Sequence, residues 1–324
     1  MLGISLLLPL YSRAQALPEP DAPPQGTRAA ERHGPPQSAE GPSLPIIVTT
    51  QRGMPVKTLA PSDCVLTLRG RPVPIRKLTA NGEQPRTFAL LLDTAGSAQA
   101  TFAAEQQAAS AIADRLRPHD EAMLVAFDTD ITLLADFTGH LAALDTAIQA
   151  APINASVGHF TTGTLPPIGK VDGALQDDAV HLAVQRLALE SGRRVLVLIG
   201  NGVDEGSRIR LHPVIREAEQ SDVTIYGLLV HDAGVDELME VNGKGPMRQL
   251  AKSTGGEVYS VDARGKGLKP AIQAIEQQLA AGWRVQLPDS TSPPGKPQPV
   301  RIACRRDGAV LKVQAPTAIG SRAY

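Results

Sequence analysis

The chain has 324 residues, of which 42% are hydrophobic, and its formal net charge at pH 7 is −1. This length and apolar content predict one large domain with an ordinary core and a smaller second unit. The near-neutral charge and an aromatic content of only 3% argue against a nucleic-acid-binding protein. Such proteins carry a basic surface, and single-strand binders add aromatic stacking platforms.

Residues 1–16 are predicted to be a secretory signal peptide. Leu2–Tyr11 is an apolar stretch too short to span a bilayer, and Ala14-Gln15-Ala16 matches an A-x-A cleavage site. No Lys or Arg precedes the apolar stretch, so either the start codon is misplaced or the segment is a buried helix. Residues 17–45 contain eight prolines and too little apolar surface to fold, which predicts a flexible linker. We expect an exported protein, periplasmic or secreted, without a transmembrane segment after signal cleavage.

Residues 46–84 have the character of β-strands. Ile46–Thr50 is rich in β-branched residues. Cys64–Leu68 and Val73–Leu78 flank Arg69-Gly70-Arg71-Pro72, and this arrangement predicts a hairpin. The prolines in the second arm place that arm at a sheet edge.

Residues 85–282 alternate between strand and helix patterns. Phe88–Asp93 and Arg194–Ile199 are short apolar runs, typical of strands buried on both faces of a parallel sheet. Ala122–Phe127 and Ile131–Leu134 are close enough to form one antiparallel hairpin. The alternation predicts βαβ units in a mostly parallel sheet. The other predicted elements are helices Gln99–Leu116, Leu141–Ala150, Asp178–Leu189, Pro213–Gln220, Met247–Ser253 and Leu268–Ala281, and strands Val223–Val230 and Glu257–Val261.

Residues 283–324 return to strands and prolines, with predicted strands at Trp283–Leu287, Val300–Arg305 and Val310–Val313. We expect these strands to pack with residues 46–84. The predicted fold is therefore α/β, an open, doubly wound and mostly parallel sheet, with a small flanking β module built from both chain ends.

One predicted strand ends in a carboxylate and a hydroxyl, at the edge where α/β sheets bind their ligands. The segment Asp93-Thr94-Ala95-Gly96-Ser97 resembles Asp-x-Ser-x-Ser, the first metal-binding motif of von Willebrand factor A domains. Residues 195–208, VLVLIGNGVDEGSR, and Leu250–Tyr259 extend the likeness. Over Ile46–Tyr324 the chain resembles a bacterial, acidobacterial-type family of exported von Willebrand factor A-related proteins. The resemblance implies a Rossmann-like fold and a non-catalytic, protein-binding role.

The resemblance also implies a metal-ion-dependent adhesion site, from which this chain departs. Asp93 and Ser97 keep the residues of the motif, but Ala95 replaces its middle serine. Ala174 stands where the family has a threonine, and Asn201 stands where it has an aspartate. Mg²⁺ and related hard cations need oxygen ligands, and alanine supplies none. We therefore expect a degenerate site at Asp93, Ser97 and Asn201, with weak or no binding of Mg²⁺ or Mn²⁺ and no other cofactor.

Three acids near the second loop leave an alternative open. Asp172, Asp177 and Asp178 could supply oxygen ligands for a different site. Otherwise they cap a helix that begins near Asp178, where the helix dipole favours negative charge. We further predict that the Asn201 amide donates a hydrogen bond to the Asp93 carboxylate.

Cys64 and Cys304 are the only cysteines. A metal cluster would need closely spaced pairs, which this spacing does not provide. In an exported protein the two residues could form one disulfide, and two separate buried thiols are the alternative. Because both lie in strands of the terminal β segments, we predict that they are close in space.

The predicted function is a non-catalytic, exported interaction or adhesion-type domain, which presents the C-terminal edge of its sheet to an unidentified protein partner. The alternatives are a hydrolase with Ser97 as nucleophile and a structural scaffold without a ligand. A nucleophile elbow, Gly-x-Ser-x-Gly, would need glycines at 95 and 99, where this chain has Ala95 and Gln99. A histidine–acid pair aimed at Ser97 would favour the enzyme, and an open polar depression would favour the binding domain.

Overall fold

The computed structural model describes residues 42–153, 173–232, 237–288 and 297–319. The predicted signal peptide and the predicted linker up to residue 41 lie outside this part of the chain. The strands are β1 (Ser43–Thr49), β2 (Cys64–Leu68), β3 (Arg71–Val73), β4 (Lys77–Ala80), β5 (Arg86–Asp93), β6 (Glu121–Phe127), β7 (Ile131–Thr138), β8 (Arg193–Gly200), β9 (Val223–His231), β10 (Val258–Asp262), β11 (Gly282–Gln286), β12 (Gln298–Arg306), β13 (Ala309–Val310), β14 (Lys312–Gln314) and β15 (Ala318–Ile319). The helices are α1 (Phe102–Ala113), α2 (Leu141–Ala150), α3 (Gln176–Ala188), α4 (Leu211–Gln220), α5 (Glu237–Ser253) and α6 (Leu268–Ala280).

The large sheet has the strand order β10-β9-β8-β5-β6-β7, and β7 is antiparallel to β6. This order confirms the predicted doubly wound, mostly parallel sheet with one antiparallel edge. Alternate residues of β5 point into two cores: Leu90 packs with α1, α2 and α6, while Leu91 packs with α3, α4 and α5. The strand is buried along its whole length, as its continuous apolar sequence requires. The winding reverses between β5 and β8, which places a topological switch point there.

The two chain ends form the predicted β module. One sheet has the order β14-β1-β11-β4 and the other the order β13-β12-β2-β3, with β15 paired to β12. Leu44, Ile46 and Val48 of β1 face a core shared by the two sheets, whereas Ile47 belongs to the core of the α/β domain. Helix α6 contacts β1 from that side. The β14-β1-β11-β4 sheet is therefore the middle layer, and the β13-β12-β2-β3 sheet is the outer layer.

Several predicted boundaries differ from the structure. β1 begins at Ser43, inside the predicted linker. The predicted strand Val73–Leu78 is divided: β3 pairs with β2, but β4 pairs with β11 in the other sheet. Pro74 lies between the two pieces, and a proline cannot donate to a strand ladder.

Two helices also differ in length from the predictions. Helix α1 begins at Phe102 rather than Gln99, after a short 3-10 turn over Gly96–Ala98. Helix α5 begins at Glu237 rather than Met247, and Pro246 lies inside it. The glycines and the proline of α5 lower its intrinsic helix propensity. Met247 and Leu250 are buried in the core, and this packing outweighs the low propensity.

The β module meets the large sheet at the edge where the parallel strands begin. Arg284 Nη1 of β11 lies 3.1 Å from Asp222 Oδ2, immediately before β9. Thr317 Oγ1 donates to Glu219 Oε1 of α4 at 2.8 Å. Among the described residues, these module contacts therefore lie at the edge opposite to the one where the parallel strands end. Within the described residues, no helix has the length and apolar character needed to cross a bilayer.

Candidate functional site

The candidate site lies at the C-terminal edge of the parallel strands, which we call the rim. Asp93 is the last residue of β5, and Asn201 follows β8, its neighbour in the sheet. A Cβ added at Gly200 would lie 2.5 Å from the Asp93 Cβ, so glycine is needed for β8 to end this close to Asp93. The exposed Ser97 hydroxyl accepts a hydrogen bond from Asn201 Nδ2 at 3.4 Å. The structure thus places the three residues predicted for the degenerate site at one edge.

The loops of the rim begin with side chains that cap their own turns. Asp93 Oδ1 accepts the Ala95 N–H at 3.0 Å, and Asn201 Oδ1 accepts the Val203 N–H at 2.8 Å. Each bond joins a side chain to the backbone two residues later, which is the geometry of an Asx turn. An Asp or Asn at a strand end therefore has a local structural role, whether or not it binds a ligand.

The predicted hydrogen bond from the Asn201 amide to the Asp93 carboxylate is wrong. The turn that follows β8 occupies the Asn201 carbonyl oxygen and directs Nδ2 towards Ser97. The Asn201 backbone N–H, rather than its side chain, stabilises the Asp93 carboxylate.

Helix α3 fixes the second and third loops of the rim to each other. Asp178 is in the first turn of α3, and its carboxylate accepts the N–H groups of Arg208 at 3.1 Å and Ile209 at 2.9 Å. The Asp177 N–H donates to Asp204 Oδ1 at 3.1 Å. The carboxylate of Asp178 therefore stabilises the loop after β8 through hydrogen bonds and does not cap the N-terminus of α3. Asp172, the third acid of the predicted alternative site, lies outside the described residues.

Burial controls the protonation of the carboxyl groups at the rim. It raises the pKa of Asp93 to about 7, and the nearby charges of Glu205 and Asp128 add to this, while the N–H groups of Ala95 and Asn201 oppose it. Below about pH 7 this carboxyl is therefore protonated in the folded protein, because a charge buried away from water is costly.

Other buried carboxyls of the rim behave in the same way. Burial raises the pKa of Asp177 to about 7, with Asp204 as the next cause. Burial also raises the pKa of Glu105 well above its usual range, and the charge of Asp93 adds to it. These buried carboxyls therefore take up a proton at higher pH than ordinary acids do.

Sequence reasoning missed two acids of this cluster, Glu105 and Asp128. Both are buried, and Glu105 Oε2 and Asp128 Oδ2 have no hydrogen-bond partner within the described residues. A signal was present for each. Glu105 shares a helix face with Ala108 and Ile112. Asp128 directly follows β6, just as Asp93 stands at the end of the neighbouring strand β5.

The residues at the rim do not fit a metal ion of the adhesion-site type. Ala95 and Ala174 are buried at two aligned ligand positions and carry no side-chain oxygen. One oxygen of Asp93 and the carbonyl oxygen of Asn201 already accept backbone N–H groups. Among the residues that the structure describes, no group of three or more His, Cys, Asp or Glu side chains could hold a metal.

The surroundings of Ser97 do not resemble those of an activated nucleophile. Its hydrogen-bond partner in the described chain is the Asn201 amide, which is not a base. An activated serine needs a general base within hydrogen-bonding reach. Within the described residues, the hydrogen bond to Ser97 therefore comes from an amide and not from a general base.

No protein-family model matches the chain, and no curated protein sequence matches it. Among solved structures, BatB from Bacteroides thetaiotaomicron is 16% identical, and the match covers 60% of this chain and 98% of that one with a TM-score of 0.46. A von Willebrand factor type A protein from Catenulispora acidiphila is 9% identical over 88% of this chain and 75% of its own, with a TM-score of 0.47. Proximal thread matrix protein 1 from the mussel byssus, with a zinc-occupied MIDAS motif, is 16% identical over 65% of this chain and 49% of its own, with a TM-score of 0.47. These similarities concern the fold alone, and the fold assignment itself comes from the strand order.

Proposed function

We propose that this protein is an exported, non-catalytic protein-interaction domain of the von Willebrand factor A type, which binds its partner at the rim without a divalent cation. The composition of the rim supports this proposal. Ser97 is exposed and Asn201 is half-buried on the same edge, while two positions that would supply metal ligands are the buried alanines Ala95 and Ala174. A partner would therefore meet hydroxyl and amide groups instead of an open metal coordination position.

The rim is held in place before any partner arrives. The Leu175 N–H donates to the Asp128 carbonyl at 2.8 Å, and the Glu205 N–H donates to the Ala174 carbonyl at 3.0 Å. Together with the Asp178 carboxylate, these bonds join the loops after β6 and β8 to the start of α3. Because binding then costs little loop ordering, such a surface supports recognition by shape and hydrogen bonding.

Export is proposed on two independent features. The first is the apolar N-terminal sequence with its A-x-A site, Ala14-Gln15-Ala16. The second is the disulfide that joins Cys64 and Cys304 in the structure, since disulfides persist in oxidising compartments. The acidobacterial type of the family is part of the same proposal and depends on the motifs alone.

Affinity capture from envelope extracts, in the presence of a chelator, tests the proposed function. The variant Ser97→Arg places a bulky cation in the centre of the rim, and the control Ala143→Arg places the same group on the exposed part of α2. We expect the same partner to be retained by the native chain with or without chelator, retained by the control, and lost with Ser97→Arg. Loss of the partner on chelation, or its retention by Ser97→Arg, would contradict a metal-independent rim.

A further inference from the structure

The near-zero net charge of the chain conceals two regions of opposite sign. The described part of the β module, residues 43–80, 282–288 and 297–319, contains eleven Lys and Arg residues, and Asp63 and Asp307 are its only acids. Its formal net charge is therefore +9. Because the whole chain carries −1, the remaining residues together carry −10. Such a separation is an electrostatic feature in its own right, since surface potential depends on where charges lie.

Part of the positive charge points away from the rest of the protein, on the outer sheet. Along β12, Val300 and Cys304 are buried against the module core, whereas Arg301, Ala303 and Arg305 are exposed. Because side chains alternate along a strand, these three residues share the outer face. The α/β domain lies behind the middle sheet, so this outer face is the solvent face of the module.

The outer face carries cations without acids to neutralise them. In the described part of the chain, no carboxylate lies within ion-pair distance of Arg301 or Arg305, which stand about 13 Å apart along the strand. The Arg69 N–H donates to the Pro299 carbonyl at 3.0 Å, which places the exposed Arg69 at the Arg301 end of the same sheet. The arginines therefore extend along the face rather than forming one local cluster.

Exposed apolar side chains stand between these arginines. Val65 is 62% exposed and pairs with Ala303, and Val310 is 51% exposed and pairs with Arg305. Thr67 pairs with Arg301 at the other end of the face. The face thus combines guanidinium groups, which bind phosphate oxygens through two hydrogen bonds, with short apolar side chains that can enter a headgroup layer.

We propose that the outer face of the β12/β2 sheet docks the protein on an anionic phospholipid bilayer. Charge complementarity supports this occupant, because each basic residue near an anionic leaflet adds to binding. Val65 and Val310 favour a bilayer over nucleic acid, since a phosphate backbone makes no use of them. The face also lacks stacking groups, and the one tryptophan of the chain, Trp283, is buried.

Docking of this kind would orient the whole protein. The module lies at the edge where the parallel strands begin, and the rim lies at the opposite edge. An anionic surface attracts the module and repels the remainder of the chain, which carries the opposite charge. The rim would then face away from the bilayer and towards a partner, although membrane docking does not depend on the rim binding anything.

Vesicle co-sedimentation tests the proposal with the full chain. The vesicles consist of phosphatidylcholine alone or of phosphatidylcholine with phosphatidylglycerol. The variant is Arg301→Glu with Arg305→Glu, and the matched control is Arg264→Glu with Lys266→Glu, an equal charge change at exposed positions between β10 and α6. We expect the native chain to bind only the anionic vesicles, and its affinity to fall as the salt concentration rises. The control should bind with unchanged or slightly lower affinity, and the outer-face variant with an affinity at least about tenfold lower.

Several results would overturn docking on a bilayer. These are no binding of the native chain to anionic vesicles, equal losses in both variants, or an unchanged affinity of the outer-face variant. Stronger binding to duplex DNA than to vesicles would assign the face to nucleic acid. Salt-sensitive self-association abolished by the outer-face variant, without vesicle binding, would assign it to a second copy. Circular dichroism of each variant checks its fold, and Arg301→Gln with Arg305→Gln replaces any variant that unfolds.

Discussion

Asp93 occupies the position that the von Willebrand factor A resemblance gives to a metal ligand, but its side chain is only 1% exposed and serves its own turn. Burial raises its pKa to about 7, whereas an aspartate in an unfolded chain titrates near 3.9. Between these two values the folded state holds a proton that the unfolded state has released. The contribution of Asp93 to stability is therefore favourable below about pH 4 and is lost progressively as the pH rises towards 7.

The variant Asp93→Asn should change this pH dependence. Asparagine keeps the oxygen that accepts the Ala95 N–H but carries no charge to bury. Relative to the native chain, we expect the variant's advantage in unfolding free energy to grow by about 3 kcal/mol between pH 5 and pH 8. Urea denaturation at several pH values measures the difference. Parallel pH profiles for the two proteins would show that Asp93 is ionised throughout this range.

For individual residues, the sequence predicts which side chains reach the rim but not which hydrogen bonds they form. Asp93, Ser97 and Asn201 follow strands whose apolar runs are clear, so their edge could be predicted. The direction of the Asn201 amide depends on the turn to Val203, which is a feature of loop geometry rather than of composition. Glu105 was missed because a helix pattern predicts which residues are apolar and does not explain a buried acid among them.

Among the elements, the long periodic ones were predictable and the short or proline-containing ones were not. The apolar run of β5 gave its bounds almost correctly, with Asp93 as its last residue. The β3–β4 region was predicted as one strand because periodicity does not reveal that Pro74 divides it between two sheets. The sequence predicts only the last part of helix α5, because Gly243, Gly245 and Pro246 are poor helix formers. The packing that stabilises the longer helix depends on the tertiary structure.

The outer sheet contains the disulfide, and its strands make a specific prediction. Cys64 of β2 and Cys304 of β12 are register partners, with Cα atoms 4.1 Å apart and 240 residues between them in the sequence. Closing so long a loop restricts the unfolded chain, for which the chain-entropy model gives about 5 kcal/mol. We expect the variant Cys64→Ala with Cys304→Ala to lose stability of this order, as measured by its denaturation midpoint.

Peptide mapping without reductant checks the bond itself. A linked pair of peptides containing Cys64 and Cys304 is the expected result for protein recovered from an oxidising compartment. Two free thiols in such protein would show that the pair is structural but unbonded, and would remove one of the two supports for export.

For the whole molecule, the composition predicts two units but conceals how their charges differ. A net charge of −1 excluded a basic protein, yet it arises from a positive β module and a negative remainder. The separation appears only when the fold brings residues from both chain ends into one module. Overall charge is thus a poor guide to surface properties when a module is assembled from distant segments.

The single tryptophan allows the coupling of the two units to be measured. Trp283 is buried in the module, and its Nε1 donates to the Val56 carbonyl at 3.1 Å. The contact between the β module and the α/β domain includes the Arg284–Asp222 ion pair and the Thr317–Glu219 hydrogen bond. We expect tryptophan fluorescence and helical circular dichroism to report coincident urea transitions. A fluorescence transition at lower urea would show that the module opens independently.

The need of the rim for a divalent cation is measured most directly by calorimetric titration of Mg²⁺ and Mn²⁺ into two proteins, the native chain and the reversion Ala95→Ser, Ala174→Thr, Asn201→Asp. The reversion restores three ligand positions and one negative charge, so it should bind the cations while the native chain binds them weakly or not at all. Micromolar binding by the native chain that the reversion leaves unchanged would contradict this. It would show that other acids, such as Asp177 and Asp178, hold a cation at the rim.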